Sequence, residues 1–441
     1  MRYIANTEAD RQAMLDAIGV SSLEELFNDI PKQVRNRYQP VGLPERSELE
    51  TVREVQKLAP LNAAWQQYTS FLGGGVYDHY IPSVVSYVTS RSEFSTAYTP
   101  YQPEMSQGTL TAMFEFQTLL CELTGMDVAN SSMYDGATAL AEAVFMAERI
   151  VRTDKVAVCR SLFPHYRRVL DTYCQAAGIK VVEVPYNHIG RYDTDSLPKG
   201  ISALVLQNPN TFGIIEEMNG LKEQLGAALL IVAVNPISLG LISAPGEAGA
   251  DIVVGEGQPL GLSPSFGGPF LGLFACRKQY LRNMPGRIIG RTVDAQGEMA
   301  YTMTSQTREQ HIRRGRATSN ICTNSTLCAL AAVVYLAGLG GDGLQELALL
   351  NLEKAHYLAK RISSLPGYSL AFSGPFFNEF VIRVPGDPQS ICRQLTQEKI
   401  LLNNPSSLSE LGVEQALNFA VTEQRTKEEL DSLVDVLRDV T

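Results

Sequence analysis

Residues 251–276 read DIVVGEGQPLGLSPSFGGPFLGLFAC. An apolar run, Ile252 to Val254, leads into a small polar loop. A Gly267-Gly268-Pro269 turn follows, and then a second apolar run from Phe270 to Cys276. The same kind of run recurs upstream as VAVC (156–159), IKVVEVP (179–185), ALVLQ (203–207) and ALLIVAVN (228–235). Helical or loop segments, 164–177 and 218–225, lie between them. Short apolar β runs alternating with helices predict an α/β fold with a mostly parallel sheet covered on both faces. Ligands of such sheets bind beyond the carboxyl ends of the strands. Gln207-Asn208-Pro209-Asn210, Asn235 and Gln258 all fall at such ends.

Working outward, 1–64 reads as a helical arm broken by Pro40, Pro44 and Pro60. Thr7 and Asp10 sit at capping-box spacing before Met14, Leu15 and Ile18. The large domain spans 65–325. Within it, Leu110, Met113, Phe114, Leu120 and Leu123 form one helical stripe that Gly125 ends. Thr318, Ser319 and Asn320 are expected to cap a helix over 321–339, and Gly338 to Gly343 to break it. From 326 to 441, helices such as 344–365 and 426–440 alternate with EFVIRV (379–384) and ALNFAVT (416–422). That pattern predicts a smaller C-terminal α+β domain.

The chain has 441 residues, 45% of them hydrophobic, which suits two or three domains. A formal net charge of −10 argues against nucleic acid or an anionic membrane as the main partner. No uninterrupted apolar stretch is long enough to span a bilayer, and AALLIVAV (227–234) is strand-sized. Acidic residues in MRYIANTEAD argue against a leader peptide, and a cytoplasmic location follows as the default. Seven scattered cysteines without a Cys-x-x-Cys pair, and five dispersed histidines, imply reduced thiols and no metal site. No Gly-x-Gly-x-x-Gly follows a strand, which disfavours a nicotinamide site.

Four loops carry polar chemistry. FLGGGVYDHY (71–80) is a tight core loop or a pocket wall presenting Tyr77, His79 and Tyr80. YTPYQPE (98–104) is proline-broken, with Tyr98, Tyr101 and Glu104 suited to hydrogen-bonding recognition or to a subunit contact. NSSMYDG (130–136) opens a helix whose free amides suit an anion, but Asp135 would repel a phosphate, and a plain capped helix is the commoner outcome. Arg308, Arg313, Arg314 and Arg316 cluster before Thr318-Ser319-Asn320, as a solvated basic turn or as an anion site.

Long stretches resemble one family. FLGGGVYDHYIPSVV, YTPYQPEMSQGTL, NSSMYDGATALAEA, GEGQPLGLSPSFGGPFLGLFA, GRIIGRTVD and TREQHIRRGRATSNICT are similar to the glycine cleavage system P-protein family, glycine dehydrogenase (decarboxylating). Within it they resemble the first subunit of the two-subunit form. The resemblance implies an aspartate-aminotransferase-like, fold type I large domain of the pyridoxal-phosphate (PLP) enzymes. It places Gln258 where such enzymes hold the Schiff-base lysine, and Asn235 where they hold the acid beside the pyridine nitrogen. Gln has no amine for a Schiff base, and Asn cannot hold a proton on that nitrogen as a carboxylate would. No lysine in the chain directly follows the carboxyl end of a buried strand: Lys155 precedes one, Lys222, Lys354 and Lys360 lie in helical segments, and Lys278 sits beside Arg277.

The resemblance further implies that PLP is carried by a homologous second subunit, in an α2β2 heterotetramer, with none covalently bound to this chain. The complex would decarboxylate glycine and pass the aminomethyl group to the lipoyl arm of H-protein. Arg316, Thr318, Ser319 and Asn320 are expected to reach the partner's cofactor in trans. His79, Tyr98, Tyr101 and Glu104 are expected to face the substrate pocket or an interface. Two alternatives stay open: a self-sufficient PLP enzyme with an unrecognised lysine, and a non-catalytic structural or regulatory protein of this fold.

Overall fold

Apolar residues on successive strand positions need cover on both faces, and the 155–276 region provides it. In the computed structural model, which describes residues 5–39, 41–95, 98–305 and 308–439, the strands are, in order, β1 (Thr69–Ser70), β2 (Val128–Ala129), β3 (Lys155–Cys159), β4 (Lys180–Val184), β5 (Ala203–Asn208), β6 (Leu229–Val234), β7 (Ile252–Glu256) and β8 (Gly272–Cys276). After them come β9 (Ile288–Val293), β10 (Met299–Thr304), β11 (Ser369–Leu370), β12 (Glu379–Arg383), β13 (Ile400–Leu401) and β14 (Ala416–Ala420). Pro40, Thr96, Ala97, Gln306 and Thr307, which fall in segments discussed above, lie outside the described residues.

Seven strands form the main sheet in the order β2-β8-β7-β6-β5-β3-β4. Pairings from β4 through β7 are parallel, whereas β8 runs antiparallel to both β7 and β2. Alternate residues of one strand feed opposite cores. Leu230 and Val232 pack with Phe116 and Leu120 of helix Gln107–Thr124 and with Ala332 of helix Thr326–Ser363. Ile231 and Ala233 pack with Leu140 and Val144 of helix Gly136–Val151 and with Leu170 of helix Pro164–Ala177. Strands β5 to β8 are buried along their whole length.

The chain divides into two units, 1–64 and 65–441. In the first, Thr7 and Asp10 form the expected capping box before helix Glu8–Ile18. Helix Glu48–Leu58 buries none of its residues and leaves Leu49, Val52, Val55 and Leu58 exposed. In the second, a smaller antiparallel sheet (β11-β12-β14) packs with helix Lys427–Asp439 around a core of its own.

Helix Thr326–Ser363 serves two of the cores of that unit. Ala331 and Tyr335 pack on the main sheet, and Leu358 and Ile362 on the smaller one. The expected glycine break is present: Gly340 takes a non-helical conformation (φ 64°, ψ −176°) that divides 326–363 into two helical stretches. By length and composition alone an 18-residue window of the helix is apolar enough to cross a bilayer, at a mean hydropathy of 1.7. Its buried residues make it a core helix of the fold.

The expected cap at Thr318-Ser319-Asn320 is also corrected. The helix begins at Thr326, with Ser325 at its N-cap. Residues 321–325 stay non-helical because other segments satisfy their polar groups. Asn324 Nδ2 donates to Ser131 O at 3.2 Å, the Ser325 amide donates to Ser132 Oγ at 3.0 Å, and the Cys322 amide donates to the Tyr134 hydroxyl at 3.1 Å.

Candidate functional site

The crevice beyond the carboxyl ends of β6 and β7 is filled by the chain itself. Gln258, fully buried, follows β7. Its Oε1 accepts from the Tyr77 amide at 2.9 Å, and its Nε2 donates to Tyr77 O at 3.0 Å and Leu262 O at 2.6 Å. One side-chain amide thus meets both backbone groups of Tyr77. Asn235 turns to its own following turn, where Oδ1 accepts from the Ile237 amide at 3.0 Å.

Glu256, the last residue of β7, accepts from three backbone amides. Gln258 and Leu271 donate to Oε1, each at 2.9 Å, and Gly136 donates to Oε2 at 3.0 Å. Burial pushes its carboxyl up to about 7, against these donors, which favour the charged form. Gly136 opens helix Gly136–Val151, where Asp135 forms a capping box with Thr138. Only glycine fits there, since a Cβ would come within 1.9 Å of the Tyr166 hydroxyl. Two carboxylates therefore occupy the helix start, and the capped-helix reading of this loop holds.

The cavity left among Gly75, Tyr77, Phe163, Tyr166, Asn235 and Glu256 measures about 10 Å³, room for roughly one water. Organic cofactors occupy pockets of roughly 300 Å³ or more. The residues present do not fit pyridoxal phosphate: no lysine is among the described residues lining the cavity, the Gly136 and Thr138 amides at the helix start are taken, and there is no room for a ring.

The glycine-rich loop 71–80 bridges from this crevice to the C-terminal sheet. Gly74 and Gly75 take positive φ, and Gly73 lies against Glu379 of β12, the close approach that three glycines permit. The Tyr77 hydroxyl donates to Glu379 Oε2 at 2.6 Å, and the Gly74 amide donates to Oε1 at 2.7 Å. Burial pushes Glu379 up to about 7 and raises the Tyr77 phenol well above its ordinary range. Asp78 pairs with Arg425 at 3.0 Å, both side chains 7% exposed. His79 is buried, its Nδ1 2.8 Å from Glu423 Oε2. Burial alone would raise the Glu423 carboxyl, but the His79 contact holds it below the usual range.

Tyr98, Tyr101 and Glu104 are exposed, on a second loop cluster. Its centre is a residue sequence reasoning passed over, Arg287, whose side chain is 4% exposed. Its Nη1 donates to Thr99 Oγ1 and Asn324 Oδ1, each at 3.3 Å; its Nη2 donates to the Tyr101 hydroxyl at 3.2 Å and to Cys322 O at 2.7 Å. The guanidinium lies 5.5 Å from the Tyr101 ring centre, and its Nε is 3.7 Å from Glu309. The Tyr98 hydroxyl meets Thr323 Oγ1 at 3.2 Å. The YTPYQPE and TSNICT segments are thereby brought together, while His79 lies in the other cluster.

Within 316–320, Arg316 is exposed and Thr318 half-buried. Ser319 Oγ accepts from the Ile321 amide at 3.1 Å, and Asn320 is exposed. Burial raises the carboxyl of Glu142.

The family model of the glycine cleavage system P-protein matches residues 1–437. The chain belongs to the glycine cleavage system P-protein family. It is 52% identical over 440 residues, 98% of each chain, to the probable glycine dehydrogenase (decarboxylating) subunit 1 of Desulfitobacterium hafniense. It is 50% identical over 440 residues, 99% of each chain, to the protein of that description from Thermotoga maritima. A solved structure of glycine decarboxylase (P-protein) of the glycine cleavage system, in inhibitor-bound form, superposes with a TM-score of 0.92 at 41% identity over all of both chains.

A glutamate decarboxylase of Lactobacillus brevis superposes with a TM-score of 0.68 at 12% identity, over 93% of this chain and 96% of that one. That likeness speaks to the fold alone. This P-protein family member has the α/β, fold type I architecture of the PLP-dependent transferases.

Proposed function

We propose that this P-protein family member works as the subunit of a two-subunit glycine dehydrogenase (decarboxylating) that does not anchor PLP. Its partner is a homologous second subunit holding PLP on a lysine, in an α2β2 complex in the cytoplasm. The complex decarboxylates glycine, releases carbon dioxide and transfers the aminomethyl group to the lipoyl arm of H-protein. The observation that carries the reading is Gln258, fully buried and bonded to Tyr77 and Leu262 at the end of β7. Among the described residues no lysine lines the crevice, which counts against a self-sufficient enzyme.

The exposed loop cluster around Arg287 is the surface we assign to the partner. We assign Tyr98, Tyr101 and Glu104 to that surface, and Arg316, Thr318, Ser319 and Asn320 to a contact with the partner's cofactor phosphate in trans. Co-purification of the chain with a lysine-bearing homologue, followed by glycine decarboxylation with the lipoylated carrier, tests the reading. Activity should need both chains. Failure to associate, or full activity of either chain alone, would exclude it.

A further inference from the structure

We propose that the crevice of this chain has been rebuilt from a ligand site into an internal joint pinned by Gln258; the inference rests on the reading that PLP belongs to the partner. A side-chain amide is the one uncharged group that accepts and donates twice from a single planar head. Gln258 uses this to meet the N–H and the C=O of Tyr77 together, and to hold Leu262 on its own loop. A lysine at this position has no acceptor and would leave the buried Tyr77 amide unpaired.

Glu256 completes the pin. Its Oε2 takes the Gly136 amide at the start of helix Gly136–Val151, and Oε1 gathers the amides of Gln258 and Leu271, the two ends of the loop that follows β7. A ligand in an open crevice would need this loop and this helix start for itself.

From Tyr77 the connection runs outward without a gap. Tyr77 and Gly74 bond to Glu379 on β12. Asp78 meets Arg425 and Gln424, and His79 and Tyr80 meet Glu423. The main sheet and the C-terminal sheet are therefore fastened through one loop, with the Tyr77–Glu379 and Asp78–Arg425 contacts buried and the others at least partly open to solvent. The crevice itself keeps a cavity of only about 10 Å³, while a second cavity of about 180 Å³ is lined by Gly73, Val76, Tyr77 and Asp78 of the loop. The two sheets move as one body, and the face outside the crevice is held in fixed geometry.

Amide hydrogen exchange on the full-length chain tests the joint. Gln258→Met keeps the side-chain length and removes the three hydrogen bonds. The amides of Gly74 to Tyr80 should then exchange about tenfold faster or more, with β6 unchanged. Unchanged protection of 74–80 overturns the proposal. If the Met variant does not fold, Tyr77→Phe, which removes only the bond to Glu379, must loosen the same segment. In a second arm, Gln258→Lys is incubated with PLP, reduced with borohydride and mapped. No stoichiometric pyridoxyl group should appear at position 258, and its appearance overturns the filled crevice. Both arms use this chain alone, so a chain that fails to find a partner refutes the proposed function while leaving the joint standing.

Discussion

Replacing Arg287 by alanine should release two loops at once. The strongest of its hydrogen bonds is the 2.7 Å contact to Cys322 O, from a charged donor, a class worth about 1.5–3 kcal/mol. The 3.2–3.3 Å contacts to Thr99, Tyr101 and Asn324 are weaker, and water replaces those at the exposed Tyr101. Asn324, 8% exposed, and Glu309 keep an unmet cost. The sum is about 2–4 kcal/mol of local stability, because the contacts do not add. In amide exchange that corresponds to roughly thirtyfold to several hundredfold faster opening at Tyr101, Cys322 and Ser325. Arg287→Lys keeps the charge but lacks the fork that spans four acceptors, so it should lie about midway. If the alanine variant exchanged like wild type at all three amides, the cluster would not be organised by Arg287.

Two further outcomes follow from buried charge. Glu216, Glu256 and Glu379 are each pushed up to about 7 by burial. The folded chain thus binds more protons than the unfolded one above the ordinary glutamate range, so stability present in acid is lost as pH rises through about 7. Glu379→Gln should flatten the fall of Tm between about pH 5 and pH 8 in calorimetry, and an unaltered slope would contradict the assignment. Asp78→Asn leaves the Arg425 guanidinium buried beside only Glu429, 3.5 Å away, and should cost about 3 kcal/mol in denaturant unfolding; a loss under about 1 kcal/mol would mean that solvent reaches the pair.

Periodic burial is what made the fold legible. The six apolar runs became β3 to β8 within a residue or two, and Gly125 ends its helix as expected. Strand β2 is too short to leave a pattern, and burial along the β9–β10 hairpin does not alternate: β9 runs from buried Ile288 and Ile289 to exposed Arg291, Thr292 and Val293. Thr318-Ser319-Asn320 looks locally like a cap, but Ser131, Ser132 and Tyr134, remote in sequence, hold the next residues out of the helix. Gln258 stood out against the family pattern. Glu256 could have been noticed as an acid ending an otherwise apolar run. Nothing near Arg287 in sequence tells a buried arginine from a surface one, since its four acceptors come from two distant loops.

The location of the cofactor tests the account most directly. The chain and its lysine-bearing homologue would be purified as a complex, loaded with PLP, reduced with borohydride and mapped by peptide. Stoichiometric pyridoxyl-lysine is expected in the partner, none in this chain, and none when this chain is treated alone. A single stoichiometric pyridoxyl-lysine in this chain would contradict it.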